Sequence, residues 1–210
     1  VIEVEIWSDY ACPFCYIGKK LFEQALAQFS KRGEVKVIYK SFELDPSAPK
    51  SQNKNIYEVL AKKYGRSVEW AHEANKNVVA MAEGVGLKFH MEKIIPTNTF
   101  DAHRLSHLAM DMGFEEKIQD LLFSAYFTEG KDLSNHKVLK EIASQVGMDE
   151  KAVSEALEGK KKTEDVRNDE NEARELEITG VPFFIFNRKF AVSGAQPTEI
   201  FLEALKRSSN

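Results

Sequence analysis

Strand-like segments stand toward both ends of this chain with a helical period in between, and that order limits the folds open to it. Residues 2–7, Ile-Glu-Val-Glu-Ile-Trp, predict a strand. Ser8-Asp9-Tyr10-Ala11 makes a short turn. Residues 12–29 then place Cys15, Leu21 or Phe22, Ala25, Leu26 and Phe29 on one helical stripe. Pro13 falls in the first helical turn, where a missing N–H has no partner to lose. Past Gly33, residues 35–42 predict a second strand. Strand, helix, strand is a βαβ unit, expected to be parallel and right-handed.

Asp45-Pro46-Ser47-Ala48-Pro49 breaks this pattern. The helical period then governs residues 56–64, 68–84, 98–112, 114–128, 136–146 and 151–157, punctuated by Gly65, Gly86, Pro96, Gly113, Gly130 and Gly147. A further helix opens in the charged stretch 160–169 and closes over 171–178, with Lys160-Lys161-Lys162 read as a solvated face or helix start. A short apolar run, Val181-Pro182-Phe183-Phe184-Ile185-Phe186, bounded by Gly180 and Asn187-Arg188, leads after that two-residue turn into Lys189-Phe190-Ala191-Val192-Ser193, which predicts a hairpin. Residues 198–206 form a last amphipathic helix. The helical block interrupts the sheet unit, so the expected domains are residues 1–44 with 160–210, and an inserted all-helical domain over 45–159.

With 43% hydrophobic residues and 14 Phe, the 210-residue chain can fill such a core. No run approaches the ~20 apolar residues that cross a bilayer, so no membrane partner is expected. A net charge of -4, from 29 basic and 33 acidic residues, provides no bulk attraction for nucleic acid. The opening residues lack the basic-then-apolar order of a signal peptide, which predicts a cytoplasmic protein, with export open because the first residue is not Met.

Only two cysteines occur, Cys12 and Cys15, and they stand together at the junction of strand and helix. A structural disulfide normally closes a longer loop. A closed zinc site needs four ligands, and no second cysteine pair exists to supply them. Of the five histidines, His103 and His107 stand four apart and would share a helix face. That is the spacing of an ordinary pair, and no metal is expected. A redox dithiol fits better. The thiolate is the attacking form, and the unpaired N–H groups at a helix start stabilise it at Cys12. Cys15 lies almost one turn along and more buried. Cys12 therefore forms the mixed disulfide and Cys15 resolves it.

The segment Trp7-Ser8-Asp9-Tyr10-Ala11-Cys12-Pro13-Phe14-Cys15-Tyr16-Ile17-Gly18 resembles the active-site opening of the DsbA-like thioredoxin-fold family, and most of all its FrnE-like branch of dithiol oxidoreductases. The resemblance extends to Asn98-Thr99 with Ala102-His103-Arg104-Leu105, and to Gly180-Val181-Pro182-Phe183-Phe184 with Gly194-Ala195-Gln196. It implies an α/β thioredoxin fold (βαβ … ββα, mixed sheet) with a large all-helical insertion, in accord with the order of periods. It also implies a cis-proline at Pro182 facing the dithiol, which the residues alone would read as the first position of a strand. Val181's backbone groups could then pair with a substrate strand. Pro13 and Phe14 join the substrate-binding set, Phe14 either as an apolar lip or packed inside. His103 and Arg104 either line the cleft or serve helix packing. DsbA itself carries histidine at the position of Phe14, so this disulfide is expected to be less oxidising. Trp7, Tyr10 and Tyr16 read as core.

The function implied is thiol–disulfide exchange with protein or small-molecule thiols and disulfides. No cofactor is needed beyond the Cys12–Cys15 pair, and glutathione is open as a co-substrate. The second cysteine pair of some FrnE-like proteins has no counterpart, so the redox partner is another molecule. Two alternatives come from other classes. Kappa-class glutathione transferases and 2-hydroxychromene-2-carboxylate isomerases share the fold family but usually carry serine for the reactive cysteine. A peptide-binding holdase would use the aromatics without any thiol chemistry. The oligomeric state is not set by these residues.

Overall fold

The computed structural model describes residues 1–51 and 54–209. The chain divides into two compact units, Val1–Leu44 with Arg167–Asn210, and Asp45–Val166.

The first unit is built on strands β1 (Ile2–Ser8), β2 (Val35–Ser41), β3 (Phe183–Phe186) and β4 (Phe190–Ser193), with helices α1 (Pro13–Gln28) and α9 (Thr198–Ser208). The sheet order is β2-β1-β3-β4. β1 runs parallel to β2, from Ile2 opposite Val35 to Ser8 opposite Ser41, and antiparallel to β3, so the sheet is mixed. Side chains on a strand alternate between faces, and the two faces of β1 carry different residues. Ile2, Val4 and Ile6 join Phe184, Phe186 and Val192 beneath α1 and α9, which contribute Phe22, Ala25, Phe29, Phe201, Ala204 and Leu205. Phe22 is the centre of this core. Its ring lies 5.7 Å from Phe184, 6.3 Å from Phe186 and 5.8 Å from Phe201.

On the opposite face Trp7, Phe183 and Ile185 pack with Ala173 and Ile178. Ala173 belongs to α8 (Thr163–Glu175). This face also holds a charged layer. Lys40 pairs with Asp169 and Glu172, each at 3.0 Å, and Arg188 pairs with the buried Glu5 and, at 2.6 Å, with Glu172. The turn between β3 and β4 has Asn187 and Arg188 both at positive φ, 49° and 55°. Asn is among the few non-glycine residues that adopt that conformation readily; here its side chain ties the turn to distant segments, accepting from Glu3 N–H at 2.8 Å and donating to Ser208 O at 2.9 Å.

The second unit is helical: α2 (Ile56–Tyr64), α3 (Val68–Gly84), α4 (Phe100–Asp111), α5 (Glu115–Phe127), α6 (His136–Gln145) and α7 (Glu150–Glu158), with α8 beginning inside it. Asn55, Ser67, Asn135 and Asp149 cap four of these helices through their side chains. α4 packs against α5, α6 and α7. Its helix starts at Phe100 and not at residue 98, because Asn98 accepts the Phe100 N–H at 2.9 Å and gives its own amide to Ala48 O at 3.2 Å. Arg104, buried on α4, binds Asp101 at 2.7 Å, Gly159 O at 2.8 Å and Lys161 O at 2.9 Å. Burial pushes the Asp101 carboxyl up, but hydrogen bonds from His136 and Arg104 outweigh it and hold the group below the usual carboxylate range.

Two local expectations shift. The run read as a solvated face or helix start leads into α8 with Lys160 and Lys161 exposed, but Lys162 sits at φ 65° with its side chain 15% exposed and bonds Asp111 at 2.6 Å. The expected division at residue 160 falls earlier than the observed one at Arg167, inside α8. The reason is that Arg167 pairs with Glu43 at 2.7 Å while Asp169 accepts the Ser41 N–H at 2.9 Å, so α8 is tied to β2 only from that point on. Among the described residues, no helix is long and apolar enough to cross a membrane.

Candidate active site

The site begins where β1 ends. Asp9 turns the chain, its carbonyl accepting the Cys12 N–H at 3.0 Å, and Cys12 becomes the N-cap of α1 with extended backbone angles (φ -96°, ψ 113°). Pro13 follows at the helix start, where the first N–H groups of any helix lack an intrahelical acceptor. The helix hydrogen-bonding then brings Cys15 N–H to 3.1 Å from Cys12 O. Both cysteines are free thiols, 4% and 2% exposed.

The two sulfurs have different surroundings. The Cys12 thiol donates to Val181 O at 3.6 Å, and the Val181–Pro182 peptide bond is cis. The Cys15 sulfur instead accepts from Asp9 N–H at 3.4 Å. Burial pushes the Cys15 thiol well above the ordinary cysteine range, and its interaction with Cys12 adds to the rise. Cys15 therefore stays protonated at neutral pH.

A family model of the DSBA-like thioredoxin domain matches residues 3–206. The chain belongs to that family. It is similar, at 40% identity and a TM-score of 0.95, to the crystal structure of a probable DsbA oxidoreductase from Streptomyces coelicolor, covering 100% of this chain and 90% of that one. It is 29% identical to the uncharacterized protein YwbO of Bacillus subtilis over 97% of this chain and 96% of YwbO. A 2-hydroxychromene-2-carboxylate isomerase shares the fold at a TM-score of 0.69 and 17% identity, over 98% of this chain and 95% of that one. The fold thus occurs in proteins named for different reactions, and the choice between them falls to the side chains at the head of α1.

Within this DSBA-like chain, Cys12, Pro13, Phe14, Cys15, Val181 and Pro182 all lie in the sheet-bearing unit. Phe14 stands out from α1 at 39% exposure, on the side open to solvent. Trp7, Tyr10 and Tyr16 are buried. His103 lies in the helical unit, buried on α4. Its neighbour Arg104 is taken up by Asp101 and the carbonyls at the end of α7, a packing role.

Gly18 was not singled out from the sequence as a site residue. A Cβ built there would lie 3.0 Å from Pro182 Cγ and 3.4 Å from Ala195 Cα, so α1 reaches the cis-proline loop only because this position has no side chain. A glycine inside an amphipathic helical stripe is the signal that points to such a contact. Gly18→Val is expected to push the Pro182 loop away from α1. The overpacking costs about 1–3 kcal/mol, and any turnover that needs the loop beside Cys12 falls as the loop is displaced. Urea unfolding together with a turnover assay checks it; unchanged turnover would show that the loop position does not matter.

Proposed function

We propose that this chain is a thiol–disulfide oxidoreductase of the FrnE-like branch, with Cys12 as the exchanging thiol and Cys15 as the resolving one. The observation that carries the reading is the asymmetric pair at the head of α1: one thiol at the helix N-cap facing Val181 O, the other one turn inside and held protonated by burial. A substrate sulfur meets Cys12 first. Phe14, exposed beside it, and Pro13 offer an apolar rim to an unfolded chain, while Val181 offers backbone groups to an extended one. His103, read from the sequence as either a cleft contact or a helix-packing residue, is buried on α4.

Substrates are protein or small-molecule thiols and disulfides, with glutathione among the candidate reductants. A separate redox partner resets the pair, because the chain has no other cysteine. In a reducing cytoplasm, the setting we favour, such a dithiol reduces substrate disulfides. The serine that usually replaces the reactive cysteine in the glutathione-dependent isomerases is absent here, which favours exchange chemistry over theirs.

The deciding experiment is covalent capture. Cys15→Ser, incubated with a disulfide-bonded peptide, is expected to accumulate a mixed disulfide at Cys12, identified by mass spectrometry and lost on reduction. A Cys15→Ser protein that never links to the peptide sinks the proposal. The potential of the wild-type pair then sets the direction: near about -270 mV it works as a reductant, near about -120 mV as an oxidant.

A further inference from the structure

Resolution places a charge where the fold disfavours one. Cys15 must become a thiolate at 2% exposure, away from the water that would otherwise solvate it. One donor, the Asp9 main-chain N–H, reaches its sulfur at 3.4 Å, and the side chain of the buried Ser8, the last residue of β1, acts with it to lower the Cys15 thiol against its burial.

Both groups are held from outside the dithiol. Ser8 lies opposite Ser41 in the parallel ladder, and its carbonyl accepts the Phe42 N–H at 3.1 Å. The Asp9 carboxylate accepts the Leu44 N–H at 2.8 Å and the Ala11 N–H at 3.4 Å, while the Asp9 carbonyl holds Cys12 N–H. Both groups are therefore in place before any charge forms, which is how fixed dipoles stabilise a developing anion most effectively.

We propose that the Ser8 hydroxyl and the Asp9 amide form a two-donor cradle for the Cys15 thiolate, with the Asp9 carboxylate positioning the amide. This rests on the oxidoreductase reading above and assigns it a second step. In reduction, Cys12 as thiolate attacks a substrate disulfide R–S–S–R′, forming Cys12–S–S–R and releasing R′–S⁻. Cys15 passes its proton to R′–S⁻, attacks the Cys12 sulfur and displaces R–S⁻. The proton that Cys12 gave to water ends on R–S⁻. Two electrons have moved to the substrate, two substrate thiols leave, and the Cys12–Cys15 bond remains. The cradle acts only while Cys15 carries charge.

A chromogenic aryl disulfide separates the two steps: its leaving groups are acidic enough that both protons go to water instead, and each step releases one coloured thiolate in its own kinetic phase. In Ser8→Ala the second phase is expected to slow about tenfold near neutral pH, the size of one hydrogen bond to a charged group. Its pH profile moves to higher pH, while Ser8→Thr, which keeps the hydroxyl, follows the wild type. Asp9→Ala, which frees the turn carrying the amide, moves the profile the same way. A merely structural role would lower stability without moving that profile. An unchanged second phase in both Ser8→Ala and Asp9→Ala overturns the cradle and leaves the oxidoreductase reading standing. A wild-type protein without a first phase overturns both.

Discussion

Cys12→Ser is expected to abolish disulfide exchange and leave the fold intact. Oxygen cannot take sulfur's place in a mixed disulfide, so the first covalent step has no product to form. Cys15 does not substitute for it. Cys15 is a buried residue one turn inside α1, and burial pushes its thiol up and keeps it protonated, so an incoming disulfide meets no nucleophile there. The fold tolerates the change because serine is nearly isosteric and its hydroxyl can still donate to Val181 O, the partner the thiol uses. Stability is expected to stay within about 1 kcal/mol of the wild type. Insulin reduction and urea unfolding on the same preparation check both halves. Full turnover by the variant would remove Cys12 from the chemistry.

Arg104→Ala is expected to destabilise the helical unit by about 3–5 kcal/mol, the cost of breaking a buried ion pair from one side. The guanidinium is 5% exposed on its side chain and joins three elements. It binds Asp101 on its own helix, the Ala156, Leu157 and Gly159 carbonyls at the end of α7, and Lys161 O ahead of α8. Those carbonyls are the ones a helix leaves without intrahelical donors, at the negative end of its dipole. Alanine removes all their charged donors together. Lysine is not expected to rescue the loss, because a single ammonium cannot span positions that a planar fork reaches. Urea unfolding of both variants is the measurement. A loss below about 1 kcal/mol in Arg104→Ala would mean that water serves the carbonyls equally well.

Arg104 also shows where sequence reasoning stops. The Asn98-Thr99 and Ala102-His103-Arg104-Leu105 motif is plainly visible in the chain, and nothing in it separates a cleft residue from a helix tie. Apart from Asp101 on its own helix, the partners of Arg104 lie more than fifty positions further along the chain. Lys162 behaves likewise: three consecutive lysines look solvated until Asp111 arrives from another helix. Gly18 carries a visible signal, a glycine on a helical stripe, but the atoms it makes room for belong to Pro182 and Ala195.

What was legible was local. Period and punctuation placed β1, α1 and β2, the helical segments, the hairpin and α9 within a few residues, because backbone hydrogen bonding and burial repeat every two or 3.6 positions wherever an element forms. The helix onset at Cys12 and Pro13 was legible for the same reason, and with it the place of both cysteines at the head of α1. Pairings across the chain carry no such period. The seating of α8 on β2 through Asp169, the Val181 carbonyl opposite Cys12, and the Ser8 and Asp9 groups at Cys15 arise only when distant segments meet in the folded sheet. Local chemistry thus set the order of elements and the place of the two cysteines, while long-range packing chose the groups that surround each sulfur.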